Sequence, residues 1–241
     1  MATYRAFARY YDALGEDPLA NVERVTGYLR RHRPAARSLL ELGCGTGQVL
    51  AGLRGEVASL TGVDRSPQML ARARARVPQA RLIEGDIAAF DLHERFDAVI
   101  CVFDTLNHLI SFESWRALFE RAAAHLHEGG LFAFDVNTVG QLRRLGAGPP
   151  WERELPGATI TQEVEWLGAG RSIWHVLIRE HLDGARSRGH HERIGELGVE
   201  LARIEAALDR DFIALERSDD GGAPPTDDST RAYYAYARRS S

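Results

Sequence analysis

Glu41, Gly43, Gly45 and Gly47 alternate through the stretch Leu39-Leu40-Glu41-Leu42-Gly43-Cys44-Gly45-Thr46-Gly47, and two further acids, Asp64 and Asp86, follow it. An apolar run ending in an acid and alternating glycines predicts a buried strand, a tight turn and the start of a helix. Glycine permits φ > 0 and close approach of backbone to a ligand. A helix opening there aims its unpaired N–H groups and the positive end of its dipole at the same point. Such a turn holds a nucleotide-like cofactor. The dinucleotide pattern G-x-G-x-x-G fails, because counting from Gly43 the third glycine is replaced by Gln48. A phosphate-binding P-loop needs lysine. The chain contains none, which also removes a Schiff-base or general-base lysine.

The elements that would position these residues follow from periodicity. Residues 19–33 carry Leu19, Val22, Val25, Tyr28 and Leu29 at helical spacing, and Pro34 ends the pattern. Short apolar runs at 38–42, 59–63, 80–83, 98–103 and 131–136 predict strands, and helical patterns fall near 47–54, 67–76 and 113–126. Near-continuous apolar strands alternating with helices predict a parallel sheet covered on both faces, with ligands at the strands' carboxyl ends. After Asn137 the alternation stops, and Gly146–Pro150 predicts a linker or turn. Period-two patterning follows at Ile160, Gln162, Val164 and Trp166, then at Ile173, His175, Leu177 and Arg179, with a turn at 167–170. A third strand is placed at 186–194, a helix at 198–209, and last strands at 211–217 and 231–238.

Motif by motif, the chain resembles the class I S-adenosylmethionine (SAM) methyltransferases. Glu41–Gly47 resembles their glycine motif, Gly62-Val63-Asp64-Arg65-Ser66-Pro67-Gln68-Met69-Leu70 their acidic loop, and Glu84-Gly85-Asp86-Ile87 their adenine-binding acid. Phe96–Phe103 and His127–Phe132 resemble the two later blocks. The blocks lie in order across roughly residues 36–138. The resemblance implies an α/β fold: a Rossmann-like, seven-stranded, mostly parallel sheet with an antiparallel β insertion. It divides the chain into an N-terminal helical lid (1–34), a SAM-binding domain (35–139 and 196–241) and an insertion over the active site (140–195). It implies SAM as cofactor and S-adenosylhomocysteine as product. The implied cofactor contacts are Tyr11, Glu41, Gly43, Cys44, Gly45, Gly47, Asp64, Arg65, Met69, Asp86, Ile87, Cys101 and Phe103.

Each candidate has a structural alternative. Asp64 can accept hydrogen bonds from both ribose hydroxyls or serve as a turn acid, leaving Ser66 to cap a helix with Pro67 at its first position. Asp86 can take the adenine amine, with Ile87 offering a backbone N–H, or end a strand. Met69 packs on adenine or in the core. Glu41 orients the glycine loop or binds the cofactor's ammonium. The resemblance makes Tyr10-Tyr11-Asp12 part of the lid. His108, just past a strand end, is the candidate catalytic residue because imidazole handles protons near neutrality; otherwise it is structural. Tyr10, Asn107, His108, His175, His190 and His191 are the candidate acceptor contacts. Adjacent strand residues face opposite ways, so only one of His190 and His191 can point at an acceptor. Their spacing does not suit a metal, and none is expected.

A net charge of −4 gives no footprint for nucleic acid. No apolar run reaches membrane-spanning length, and the N-terminus lacks a secretory apolar core. Two cysteines, Cys44 and Cys101, fit a reducing cytoplasm. A homodimer is left open. The expected function is transfer of a methyl group to N or O of a small molecule. Placement alone can supply about 7–11 kcal/mol of barrier lowering, and a base roughly 10²–10⁴-fold for a hydroxyl. The order of the Tyr-Asp arm, Cys101, Phe103, His108, Leu109 and His190-His191-Glu192 resembles amino-sugar N,N-dimethyltransferases. The alternatives are a non-catalytic SAM-binding module, its acceptor pocket filled by Trp151, Trp166 and Trp174, and a nicotinamide oxidoreductase.

Overall fold

The computed structural model describes residues 4–14, 17–182 and 186–240. Its strands are β1 (Ser38–Leu42), β2 (Ser59–Asp64), β3 (Arg81–Glu84), β4 (Phe96–Cys101), β5 (Leu126–Asn137), β6 (Trp151–Leu155), β7 (Ala158–Gly168), β8 (Arg171–His181), β9 (Ser187–Leu197), β10 (Phe212–Ser218) and β11 (Arg231–Arg238). Its α-helices are α1 (Tyr11–Leu14), α2 (Pro18–His32), α3 (Gln48–Gly52), α4 (Pro67–Arg76), α5 (Phe112–Ala124), α6 (Val139–Ala147) and α7 (Leu201–Leu208). Seven strands form one sheet in the order β10-β11-β5-β4-β1-β2-β3. β1 to β5 all run parallel, and β11 is antiparallel to both its neighbours. The expected fold class is therefore the observed one.

Strand parity divides the core. Leu40, Val99, Phe132 and Phe134 face Trp115, Leu118 and Phe119 of α5 and Ile204 of α7. Their neighbours Leu39, Ala98, Ile100 and Leu131 face Val25, Tyr28 and Leu29 of α2. Sequence signals set the helix starts: Asp17 accepts from Leu19 N with Pro18 at N1, and Ser66 accepts from Met69 N with Pro67 at N1.

The second sheet is an antiparallel meander, β6-β7-β8-β9. Its inner face does not pack as the alternation at Ile173, His175 and Leu177 suggested. Val176 and Ile178 face inward with Ile160 and Ile194, against Phe7 and Tyr10 of the N-terminal segment. α6 and β6 flank the turn expected at 146–150, on stretches where no element was expected. α6 carries two glycines and two arginines and buries only Gly140 and Leu142, while β6 is a charged, mostly exposed edge. Neither writes a clear apolar period. Among the described residues, no helix is long and apolar enough to cross a membrane.

The N-terminal segment lies between the two sheets. Glu192 on β9 accepts from Ala6 N at 2.6 Å and Phe7 N at 2.9 Å. Asp12 accepts from Thr46 Oγ1, Gln48 Nε2 and Arg76 Nη2 at 2.6, 2.7 and 2.7 Å on the glycine-loop side. These bonds and the Arg72 and Arg76 charges offset burial and leave its carboxyl below the usual range.

Candidate active site

Three hollows meet at the carboxyl ends of β1, β2 and β4. The first is lined by Gly43, Asp64, Met69, Asp86, Ile87 and His108, with Arg65 and Gly45 also on its wall. The second is lined by Glu41, Gly43, Cys44, Thr46 and Thr105. The third, about 870 Å³, opens between the N-terminal segment and the antiparallel sheet and includes Asp104, His108, Trp151, Trp174 and Glu196. Tyr11 and Phe103 line all three, so they mark the junction.

The glycine loop is built for close approach. Gly43 has φ +73°, and an added Cβ would stand 2.2 Å from Thr105 Cγ2. Gly45 has φ +51°, with open space where a Cβ would project. Asp64 clasps this loop: Oδ2 accepts from Gly45 N and Oδ1 from Ser66 N, each at 2.8 Å. Burial still pushes its carboxyl upward. Glu41 is 3% exposed, and its Oε2 has no hydrogen-bond partner among the described residues. Burial and the nearby Asp64 hold its carboxyl well above the usual range. A hollow with an orphaned buried acceptor, a bare glycine loop and an acid at a strand end fits SAM.

Beyond β4 the chain turns sharply. Phe103 and Asp104 take φ of +57° and +46°. Asp135 on β5, fully buried, fixes them by accepting from Phe103 N at 2.9 Å and Asp104 N at 2.7 Å. A short 3-10 turn, residues 105–108, brings His108 beside Tyr4, whose hydroxyl lies 3.2 Å from His108 Nε2. Burial and the Arg65 charge push the His108 imidazole down to about 4, so it is neutral at physiological pH. Glu196 reaches in from β9, its Oε2 accepting from Trp174 Nε1 at 2.8 Å.

Several expected site residues lie elsewhere. Cys101 is fully buried in the sheet core. Gly47 caps α3 and packs near Ala73 of α4 and Val77 just beyond that helix. Asn107 is fully buried, donating to Asn137 O and Leu197 O and accepting from Asn137 N. That leaves its amide no role toward an acceptor. The Tyr10 hydroxyl donates to Glu180 at 2.9 Å, and His190 lies 3.4 Å from the same carboxylate. His175 and His191 occupy the outer face of the meander, 3.0 Å apart through their ring nitrogens. Strand parity puts them opposite Trp174 and Glu192, away from the third hollow. Tyr4, Asp104, Thr105 and Glu196 are site residues the sequence did not announce. Trp166 packs against Gly146, and Trp151 and Trp174 stand edge-to-face on the third hollow's wall without filling it.

A profile described as "Methyltransferase domain" matches residues 39–130. The dTDP-3-amino-3,6-dideoxy-alpha-D-glucopyranose N,N-dimethyltransferase of Streptomyces fradiae is 38% identical over 219 residues, covering 88% of this chain and 75% of that one. The chain belongs to the SAM-dependent methyltransferases. SAM-dependent methyltransferase from Clostridium acetobutylicum ATCC 824 has the same fold, with a TM-score of 0.86 at 22% identity over 98% of this chain and 99% of that one. The sugar N-methyltransferase KedS8 from Streptoalloteichus sp ATCC 53650 superposes with a TM-score of 0.82 at 25% identity, covering 100% of this chain and 94% of that one. In this SAM-dependent methyltransferase the bound cofactor supplies an activated methyl group. The nicotinamide alternative falls with the family.

Proposed function

We propose that this methyltransferase N-methylates an amino sugar carried on a nucleotide. The observation that carries the reading is the junction at Tyr11 and Phe103, where a cofactor-shaped pair of hollows opens into a separate acceptor hollow. The amino-sugar substrate named for the Streptomyces fradiae relative supports the substrate class. In this reading Asp64 holds the ribose, Asp86 and Ile87 the adenine edge, and the orphaned Glu41 oxygen the ammonium of the methionine part. Met69 and Arg65 form the adenosine wall. Tyr4 and His108 line the passage to the acceptor hollow, and neutral His108 orients the acceptor rather than carrying charge.

The remaining chemistry is placement. The third hollow offers an acceptor a place beside the junction, where binding can hold its nitrogen against the methyl donor. The test is incubation of the protein with SAM and dTDP-3-amino-3,6-dideoxy-D-glucose, followed by mass spectrometry. Mono- and dimethylated sugar is the expected result. S-adenosylhomocysteine binding without methylation of this sugar or its 4-amino isomer would remove the amino-sugar assignment.

A further inference from the structure

Two carboxyl groups meet in the third hollow from opposite sheets. Asp104 stands on the turn after β4, and Glu196 near the end of β9. A ligand atom from each, together with one from His108, lies within 4.8 Å of the others. Burial and the charge of Asp104 hold the Glu196 carboxyl well above the usual carboxylate range. Two acids this close and this buried favour one shared proton over two charges. Glu196 is 2% exposed and accepts at Oε2 from the neutral Trp174 N–H, whereas Asp104 Oδ1 receives the charged Arg231 Nη2 at 3.1 Å. The proton therefore belongs on Glu196 and the charge on Asp104.

The surrounding charges do not cancel. Arg231 also reaches Asp135 Oδ1 at 3.4 Å, and one guanidinium faces two carboxylates, Asp135 and Asp104. His108 is neutral, and so is Tyr4, whose phenol burial holds well above its ordinary value. Arg65 and Asp64 face the cluster from the cofactor side and offset one another. One negative charge is left over beside the rings of Trp151 and Trp174. A cation fits such a wall; a neutral hydroxyl does not use it.

We propose that Asp104 is the catalytic proton acceptor for a protonated amine, and that Glu196 is the positioning residue that keeps Asp104 charged and in place. The inference rests on the N-methylation reading above. An ammonium has no lone pair and cannot attack a methyl group. Its N–H bond breaks, the electron pair stays on nitrogen, and the proton forms an O–H bond with Asp104. The freed pair then forms the N–C bond while the donor's S–C bond breaks and sulfur keeps its electrons. Burial against the pull of Arg231 sets the Asp104 carboxyl at about 6, close to working pH, whereas His108 at about 4 is the weaker base.

The probes are dTDP-3-amino-3,6-dideoxy-D-glucose and its 3-hydroxy counterpart, with the S-adenosylhomocysteine-loaded protein. Calorimetry is expected to show the amine bound about tenfold or more tighter than the hydroxyl sugar, with the preference lost in Asp104→Asn and S-adenosylhomocysteine affinity unchanged. Asparagine tolerates the left-handed backbone at position 104. Turnover by Asp104→Asn should fall about 10²-fold or more, and the acid limb near pH 6 in kcat/KM should vanish. Carboxyl-carbon NMR titration, which needs no acceptor, should show a group titrating near pH 6 that disappears in Asp104→Asn, persists in Glu196→Gln and moves in Glu196→Leu. A pair titrating wholly in the ordinary carboxylate range overturns the inference, as does wild-type turnover in Asp104→Asn. Activity lost to a chelator and restored by Mg²⁺ or Zn²⁺ would give the cluster to a metal and also overturn it. No methylation of the amino sugar alongside the expected NMR titration would locate the failure in the substrate reading rather than in the carboxyl pair.

Discussion

Gly43→Ala tests the glycine loop on two separable counts. An L-residue at φ +73° costs about 1–2 kcal/mol. The new Cβ also falls 2.2 Å from Thr105 Cγ2, a contact no real Cβ makes, and relieving such overpacking costs about 1–3 kcal/mol. The expected loss is therefore about 2–5 kcal/mol, the sum of those ranges. Thr105→Ser removes only Cγ2 and keeps the hydroxyl that donates to Val102 O at 2.8 Å. In the double variant the overlap term should disappear while the backbone term remains. Urea denaturation of wild type, both single variants and the double variant should give a coupling energy of about 1–3 kcal/mol favouring the pair. Additivity within about 0.5 kcal/mol would refute the argument that these two positions contend for one space.

Asp64→Ala removes the acceptor for two backbone N–H groups and the proposed ribose ligand, so S-adenosylhomocysteine affinity should fall about 10- to 100-fold by calorimetry; an unchanged Kd excludes the role. Asp12→Asn loosens the N-terminal segment from Arg76 and Thr46, and protease cleavage within residues 4–14 should quicken while the main sheet stays resistant. Asp104 and His108 should bend the pH dependence of stability in opposite senses. The raised Asp104 carboxyl favours the folded state below about pH 4, a contribution lost as pH rises through about 6, so Asp104→Asn should gain on wild type across that window. The lowered His108 imidazole contributes fully above about pH 6.5 and is lost as pH falls through about 4, so His108→Asn should gain on wild type on acidification. Urea melts at pH 4, 5, 6 and 7 read both slopes, and parallel profiles would refute the sign.

The cofactor half of the site was legible because its parts lie on one stretch of chain. Glycines, an acid at each strand end and buried apolar strands declare themselves locally, and Ser66-Pro67 even gave a helix start to the residue. The acceptor half was not. Asp104 and Glu196 come from different sheets, and the docking of the 105–108 turn on β9, with Asn107 donating to Leu197 O, brings them together. The histidines misled for a simpler reason. His175 shares strand parity with Ile173 and Leu177, which supply an apolar alternation of their own, yet the buried face of β8 is the other one, with Val176 and Ile178. Asn107 sits beside the site but is consumed by Asn137 and Leu197, a fate set by residues distant in sequence.

Asp135 gives the site its stiffness. The Phe103–Asp104 turn forms part of the hollows' walls, yet its two amides end on a carboxylate rooted near the carboxyl end of β5, with β4 on one side and β11 on the other. The turn is thus an outgrowth of the sheet rather than a flexible connection. Its strained backbone persists because leaving it would take two hydrogen bonds from a fully buried carboxyl group. The frame that aims the acceptor therefore borrows its rigidity from the most deeply packed strands of the molecule, and a substitution at position 135, outside every hollow, would be felt first as a loss of aim.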